Sequence, residues 1–207
     1  MTAIASRFAV AVLAVSVVSA EEAVLSLRAT VVPAGAAVTV TLFRWSSDAE
    51  RAPVLAALKA PPPPPAAPAG AAAGRGGRAG RPGGRGASAA PPPSVGARVS
   101  AAIKAAPTLG YVWGDGVTGY SIKYAWRAAD RIVLITDRRL GAHAPEWALG
   151  AGSSPDAEFT LIELRVDAKG GGEGKTSLSA NVVMDATANT LALDGYAAAP
   201  TMLRITR

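Results

Sequence analysis

Residues 61–98 constrain the fold more than any other part of the chain. They read PPPPPAAPAGAAAGRGGRAGRPGGRGASAAPPPSVGAR, with 10 Pro and 9 Gly in 38 positions. One branched aliphatic residue, Val95, and no aromatic residue stand among them. Such a segment cannot bury enough apolar area to offset the entropy lost on ordering. It is expected to be a disordered low-complexity insertion, extended at its Pro-rich ends and flexible in its Gly/Arg middle. Any core must come from the two flanking pieces, 21–60 and 99–207, meeting as a single β-rich domain.

The first twenty residues form a separate unit. Arg7 supplies a short positive region, and Phe8–Val18 is an eleven-residue run, apolar apart from Ser16. Val18 and Ala20 then place small residues at −3 and −1 ahead of Glu21-Glu22. This is the layout of a secretory signal peptide cleaved after Ala20. The run falls short of the roughly 20 residues a membrane helix needs, so no transmembrane span is expected after cleavage. The expected location is secreted or periplasmic. The chain has no Cys, which excludes disulfides, thiolate metal sites and thiol catalysis. Its single His excludes a two-His metal centre within one chain. No metal and no cofactor is expected.

The formal charge of +6 does not describe the folded part. Residues 61–98 hold five Arg (75, 78, 81, 85 and 98) and no acid, and the rest of the mature chain holds 15 basic and 15 acidic residues. The tract lacks the interleaved aromatics that stack on bases, which argues against nucleic acid. Polyanion binding through this Arg/Gly tract, to surface polymer or lipid headgroups, stays open as an alternative function. So does a solvated insertion without a partner.

Elsewhere the patterning is that of strands. Tyr120, Ile122, Tyr124 and Trp126 alternate with Ser121, Lys123, Ala125 and Arg127, which predicts a half-buried strand with the aromatics on its apolar face. Gly110–Trp113 precedes it across Gly114-Asp115-Gly116, a hairpin signal. Arg131–Asp137 is apolar on both faces and reads as a central strand. Further strands are predicted at Val24–Val32, Val38–Arg44, Thr160–Asp167, Ser177–Met184, Leu191–Asp194 and Met202–Thr206. Their short connections favour antiparallel neighbours. The fold class is therefore α+β, mainly antiparallel β, as a β-sandwich or a strongly curved sheet. Two short helices complete it. Ser47 and Glu50 match a capping box opening a helix to about Lys59, with Pro53 expected to kink it or delay its start. A second helix spans about Ser94–Ala106.

Several motifs bear on chemistry. Gly170–Thr176 looks like a phosphate loop, but the pattern requires Gly where Lys169 stands, and no helix follows. A flexible hairpin loop with a solvated Lys175 is expected instead. Asp137, Arg138, Arg139, His143, Glu146 and Trp147 cluster after the central strand, where loops often carry function. Arg138 and Arg139 could grip a carboxylate or phosphate, and His143 could act as a base beside Asp137 or Glu146. No nucleophile motif accompanies them. Arg138, Arg139, His143, Glu146 and Trp147 are thus candidate ligand contacts, no catalytic residue is assigned, and salt bridging by the two Arg is the structural alternative. Glycosidase-type carboxylates could also arise if two of Asp156, Glu158, Glu163 and Asp167 converged. Trp45, Trp113, Trp126, Trp147, Tyr111, Tyr120 and Tyr124 stand out in a chain that is 5% aromatic. Core packing is expected of Tyr124 and Trp126, with a carbohydrate-stacking platform as the alternative use of the aromatics.

Residues 42–51 (LFRWSSDAER), 119–124 (GYSIKY) and 131–141 (RIVLITDRRLG) resemble segments of uncharacterised exported bacterial proteins, and Phe159–Asp167 and Gly172–Lys175 are similar too. The resemblance covers most of the mature chain outside 61–98, and implies that the tract is an insertion. It carries no site residue. The expected function is that of a non-catalytic envelope protein binding an unknown partner or small ligand. A hydrolase using the Asp137–Glu146 loop is the enzymatic alternative.

Overall fold

A computed structural model describes residues 23–61, 92–114, 119–140 and 158–206. Eight strands form one closed antiparallel barrel: β1 (Leu25–Val31), β2 (Ala37–Leu42), β3 (Gly110–Trp113), β4 (Tyr120–Ala128), β5 (Arg131–Thr136), β6 (Thr160–Val166), β7 (Gly172–Thr176) and β10 (Leu203–Thr206). The chain runs up and down from β1 to β7. Strand β10 then pairs with both β7 and β1, which closes the ring. A separate hairpin, β8 (Val182–Asp185) and β9 (Thr190–Leu193), is inserted before β10. Helices α1 (Asp48–Lys59) and α2 (Val95–Ala105) are inserted between β2 and β3. The curved antiparallel sheet with two helices is therefore present, and its curvature goes to full closure, so that among the described residues the barrel itself has no open edge.

Two apolar clusters hold the fold. The first fills the barrel, where Val31, Val40, Leu42, Ile122, Leu134, Ile162, Leu164 and Leu203 are at most 1% exposed. An eight-stranded barrel is just narrow enough for side chains to fill it. The second lies outside, between β4–β6 and a covering layer of α1, α2 and the β8–β9 hairpin. It contains Val54, Leu55, Val99, Ile103, Tyr124, Val133, Ile135, Leu161 and Leu191. Strands β5 and β6 are buried on both faces for this reason, as the apolar run Arg131–Asp137 required.

Strand β4 corrects the predicted register. A bulge between Ile122 and Tyr124 flips the alternation, because the extra residue shifts everything beyond it to the other face. Tyr120 and Ile122 point into the barrel, while Tyr124 and Trp126 point out toward the helices. Both faces are covered here, so Tyr124 is still only 1% exposed, and its hydroxyl lies 2.6 Å from that of Thr190.

Segment Ser177–Met184 is also not one strand. Strand β7 lies earlier, at Gly172–Thr176, and residues 177–181 turn before β8 begins. Its sequence, GEGKT, has no apolar side chain of its own. Neighbours supply the cover: a Cβ at Gly174 would stand 2.6 Å from Leu164 Cδ2 and 3.0 Å from Leu203 Cβ. Glycine is what lets those side chains close over β7.

Helix α1 carries the capping box its sequence announced. Ser47 Oγ accepts from Glu50 N, and Glu50 accepts in return from Ser47 N at 2.9 Å. Arg44 holds the same carboxylate with two bonds of 2.9 and 2.8 Å. This locks the first turn, and α1 starts at Asp48 with Pro53 inside it rather than delaying it. Ser94 caps α2, so residues 95–98 at the end of the tract are helical. Arg98 donates to Ala60 O at 2.8 Å and so ties α2 to the end of α1. Residues 62–91 and 1–22, with the tract and leader readings they carry, lie outside the described residues.

Candidate functional site

The predicted cluster after β5 is only partly within the described residues. His143, Glu146 and Trp147 lie outside them, as does Asp156. Arg138 and Arg139 are half-buried at the end of β5. Asp137 accepts from Ser121 N at 3.2 Å and stands 3.7 Å from Arg138 Nε. Arg138 donates to Gly119 O at 2.8 Å and lies 5.4 Å over the Tyr120 ring. These two residues thus fix the backbone of 119–121 where β4 begins.

The described carboxylates do not pair as a glycosidase dyad. Glu158 precedes β6 and ion-pairs with Lys104 of α2. Asp167 follows β6 and accepts from Lys169 N and Gly171 N at 2.7 and 3.0 Å, which shapes the turn into β7. Glu163 sits between them, on the outer face of β6. At roughly 3.3 Å per strand residue, its backbone is about 13–16 Å from each of the other two.

Glu163 instead anchors a charge network under the β8–β9 hairpin. It is 1% exposed and binds Arg131 at 2.9 Å, Arg165 at 3.1 Å and Leu193 N at 3.0 Å. Arg131 reaches on to Asp185 at 2.6 Å. The Asp185 carboxyl is held below the usual range by the bond from Ala188 N and then by Arg131.

Lys175 joins this layer, which corrects the solvated-loop reading. It lies on β7, 5% exposed, and donates to Tyr196 O at 2.8 Å and Ala197 O at 3.3 Å. Its ammonium stands 4.6 Å from the Tyr196 ring centroid. Arg165 stands over the same ring, at 5.1 Å. Burial, followed by the Glu173 and Glu163 charges, pushes the Tyr196 phenol up. The segment after β9 folds back over β7 and supplies the carbonyls that replace water around Lys175. A buried ammonium is tolerated only with such partners.

The aromatics divide by place. Tyr120 is inside the barrel, Tyr124 and Trp126 are under the covering layer, and Trp45 packs against the barrel with Arg127 at 5.1 Å over its ring. Phe43, Tyr111 and Trp113 are different. Tyr111 and Trp113 flank the inward Val112 on β3, so they share the outer face, and Trp113 is 41% exposed. Phe43 meets Tyr111 edge-on at 6.1 Å, and Tyr111 meets Trp113 at 5.6 Å and 44°.

Trp113 has a prepared seat. A Cβ at Gly119 would lie 2.8–2.9 Å from three adjacent carbons of its six-membered ring. Near-equal distances to three neighbouring ring atoms mean that the face of the indole, not its edge, lies over Gly119. Arg138 holds the carbonyl of that same glycine. The ring is therefore laid flat on a fixed backbone.

Register places polar side chains around it. One row reads Thr206, Arg28, Thr39, Trp113 across β10, β1, β2 and β3, and the adjacent row reads Ser26, Thr41, Tyr111, Ser121 across β1–β4. The helices and the β8–β9 hairpin pack on β4–β6 instead, and among the described residues no element of that layer covers this face. The sequence signal for it was present: Tyr111 and Trp113 alternate with Val112, and Thr39 and Thr41 with Val38, Val40 and Leu42.

No family model, curated protein or solved structure matches this chain. Among the described residues, no group of three or more His, Asp or Glu could hold a metal ion, and no helix is long and apolar enough to cross a membrane.

Proposed function

We propose that the chain is an exported, non-catalytic protein of the cell envelope that binds a glycan on the outer face of β1–β3. The Trp113 ring seated flat on Gly119 carries this reading. An indole held face-out presents its electron-rich surface to the polarised C–H groups of a sugar ring, and its orientation costs no side-chain entropy on binding. Tyr111 beside it, with Thr39, Thr41, Ser26 and Ser121 in the neighbouring register positions, supplies hydroxyls that can donate to and accept from sugar hydroxyls. The filled barrel interior and the internally paired Glu163, Asp167 and Asp137 support binding rather than catalysis. The leader-like first twenty residues support export.

The test is affinity electrophoresis of the mature chain through gels containing neutral or acidic polysaccharides. At least one should retard it, and Trp113→Ser and Gly119→Ala, both still folded, should run unretarded. A chain retarded by none of them overturns the reading.

A further inference from the structure

We infer that the glycan is a carboxylated one, and that Arg28 is the residue that selects it. This rests on the glycan-binding reading and narrows it.

Charge on the face is one-sided. Arg28 and Arg204 are exposed on β1 and β10, and the described residues of β1, β2, β3 and β10 include no acid. The nearest carboxylate in register is Glu173, beside Arg204 on β7, and it already accepts from Thr201 at 2.7 Å and lies 3.7 Å from Lys175. Asp137, beyond Ser121, is engaged with Arg138 and Ser121 N. No described acid therefore neutralises Arg28. Five arginines elsewhere in the described fold, Arg44, Arg51, Arg131, Arg138 and Arg165, each sit against a carboxylate.

Position matters as well as sign. Arg28 and Trp113 share one register row with Thr39 between them. Two strand spacings separate their Cα atoms by about 10 Å, within the combined reach of the two side chains. A sugar stacked on Trp113 would extend along this row over Thr39. A carboxylate on it or on the next sugar would then meet the Arg28 guanidinium, whose planar fork suits that group. A flat ring on a sheet favours a stacking ligand over a lipid surface, which is entered by side chains projecting from an edge.

The probes are polygalacturonate and its methyl ester, the same polymer with its carboxylates masked, run against the mature chain. Polygalacturonate should bind about tenfold or more tightly than the ester, an advantage that weakens as salt rises. Arg28→Ala should abolish that difference while leaving the melting temperature and the binding of the ester unchanged. Equal binding of both polymers, with Arg28→Ala silent, overturns the carboxylate inference and leaves glycan binding standing. Binding of neither overturns both. Loss of polygalacturonate binding in a variant with Arg75, Arg78, Arg81 and Arg85 changed to Ser, with Arg28→Ala unaffected, moves the activity to the Arg/Gly tract and overturns the inference. Retention only by vesicles of phosphatidylglycerol and phosphatidylcholine does so too, in favour of a lipid surface.

Discussion

Replacing Glu163 by Ala should be among the most damaging single changes outside the two apolar clusters. The carboxylate is 1% exposed and joins Arg131, Arg165 and Leu193 N, so it ties β5 and β6 to the hairpin that covers them. Removing one partner of a buried ion pair typically costs about 3–5 kcal/mol, because the other charge is left without compensation. Two features place this case at the lower end. Arg131 keeps Asp185, and the Arg165 side chain is 39% exposed and can take water. About 3 kcal/mol is expected, or a fall of roughly 10 °C in melting temperature for a domain of this size. The assay is thermal and urea denaturation of Glu163→Ala beside Glu158→Ala. The Glu158 side chain is 64% exposed, and its ion pair with Lys104 should be worth no more than about 1 kcal/mol. The double variant Arg131→Met/Glu163→Met should recover much of the loss, since apolar side chains remove both buried charges together. A Glu163→Ala midpoint within about 2 °C of the wild type would refute the reasoning, as would a double variant no better than the single.

Other expectations follow from named contacts. Lys175→Ala should cost about 2 kcal/mol, because it leaves the Tyr196 and Ala197 carbonyls unpaired in a covered layer, and a shift below about 0.5 kcal/mol by urea denaturation would contradict that burial. Tyr124→Ser should destabilise by about 3 kcal/mol or more, and Lys123→Ser, which gives up one bond to Ala106 O, by about 1 kcal/mol; equal melting temperatures would contradict the burial of Tyr124. The Glu50 carboxyl is pulled down to about 2, first by Arg44 and then by Ser47 N. Its folded form favours the carboxylate, so its contribution is present above the ordinary carboxylate range and is lost as pH falls toward about 2. The gap in melting temperature between wild type and Glu50→Gln should accordingly narrow from pH 6 to pH 3, and a constant gap would contradict the assignment.

Much of the fold was legible because its signals are local. Hydrophobic patterning located β1–β6, β9 and β10 within a residue or two, and Ser47 and Glu50 marked the start of α1. The parts that escaped depend on non-local contacts. Nothing near Ile122 announces the bulge, since a single added residue leaves composition unchanged and both faces of β4 end up buried. Strand β7 is silent because its cover comes from Leu164 and Leu203, distant in sequence. Lys175 reads as a solvated loop residue until the segment after β9 folds over it. Of the expected contacts, Arg138 proved to be a positioning residue for Gly119 and Tyr120. The face carrying Trp113 could be drawn only once the registers of β1, β2 and β3 were known.

In the proposed site, Trp113 is the surface on which the ligand stacks. The chain holds four tryptophans, and each contributes one indole N–H resonance. Nuclear magnetic resonance of the ¹⁵N-labelled mature protein, titrated with oligogalacturonate and assigned with Trp113→Phe, follows them separately. The Trp113 signal should shift saturably while those of the covered Trp126 and the packed Trp45 stay in place. A titration that leaves Trp113 unmoved, or that moves Trp147 alone, would contradict the account.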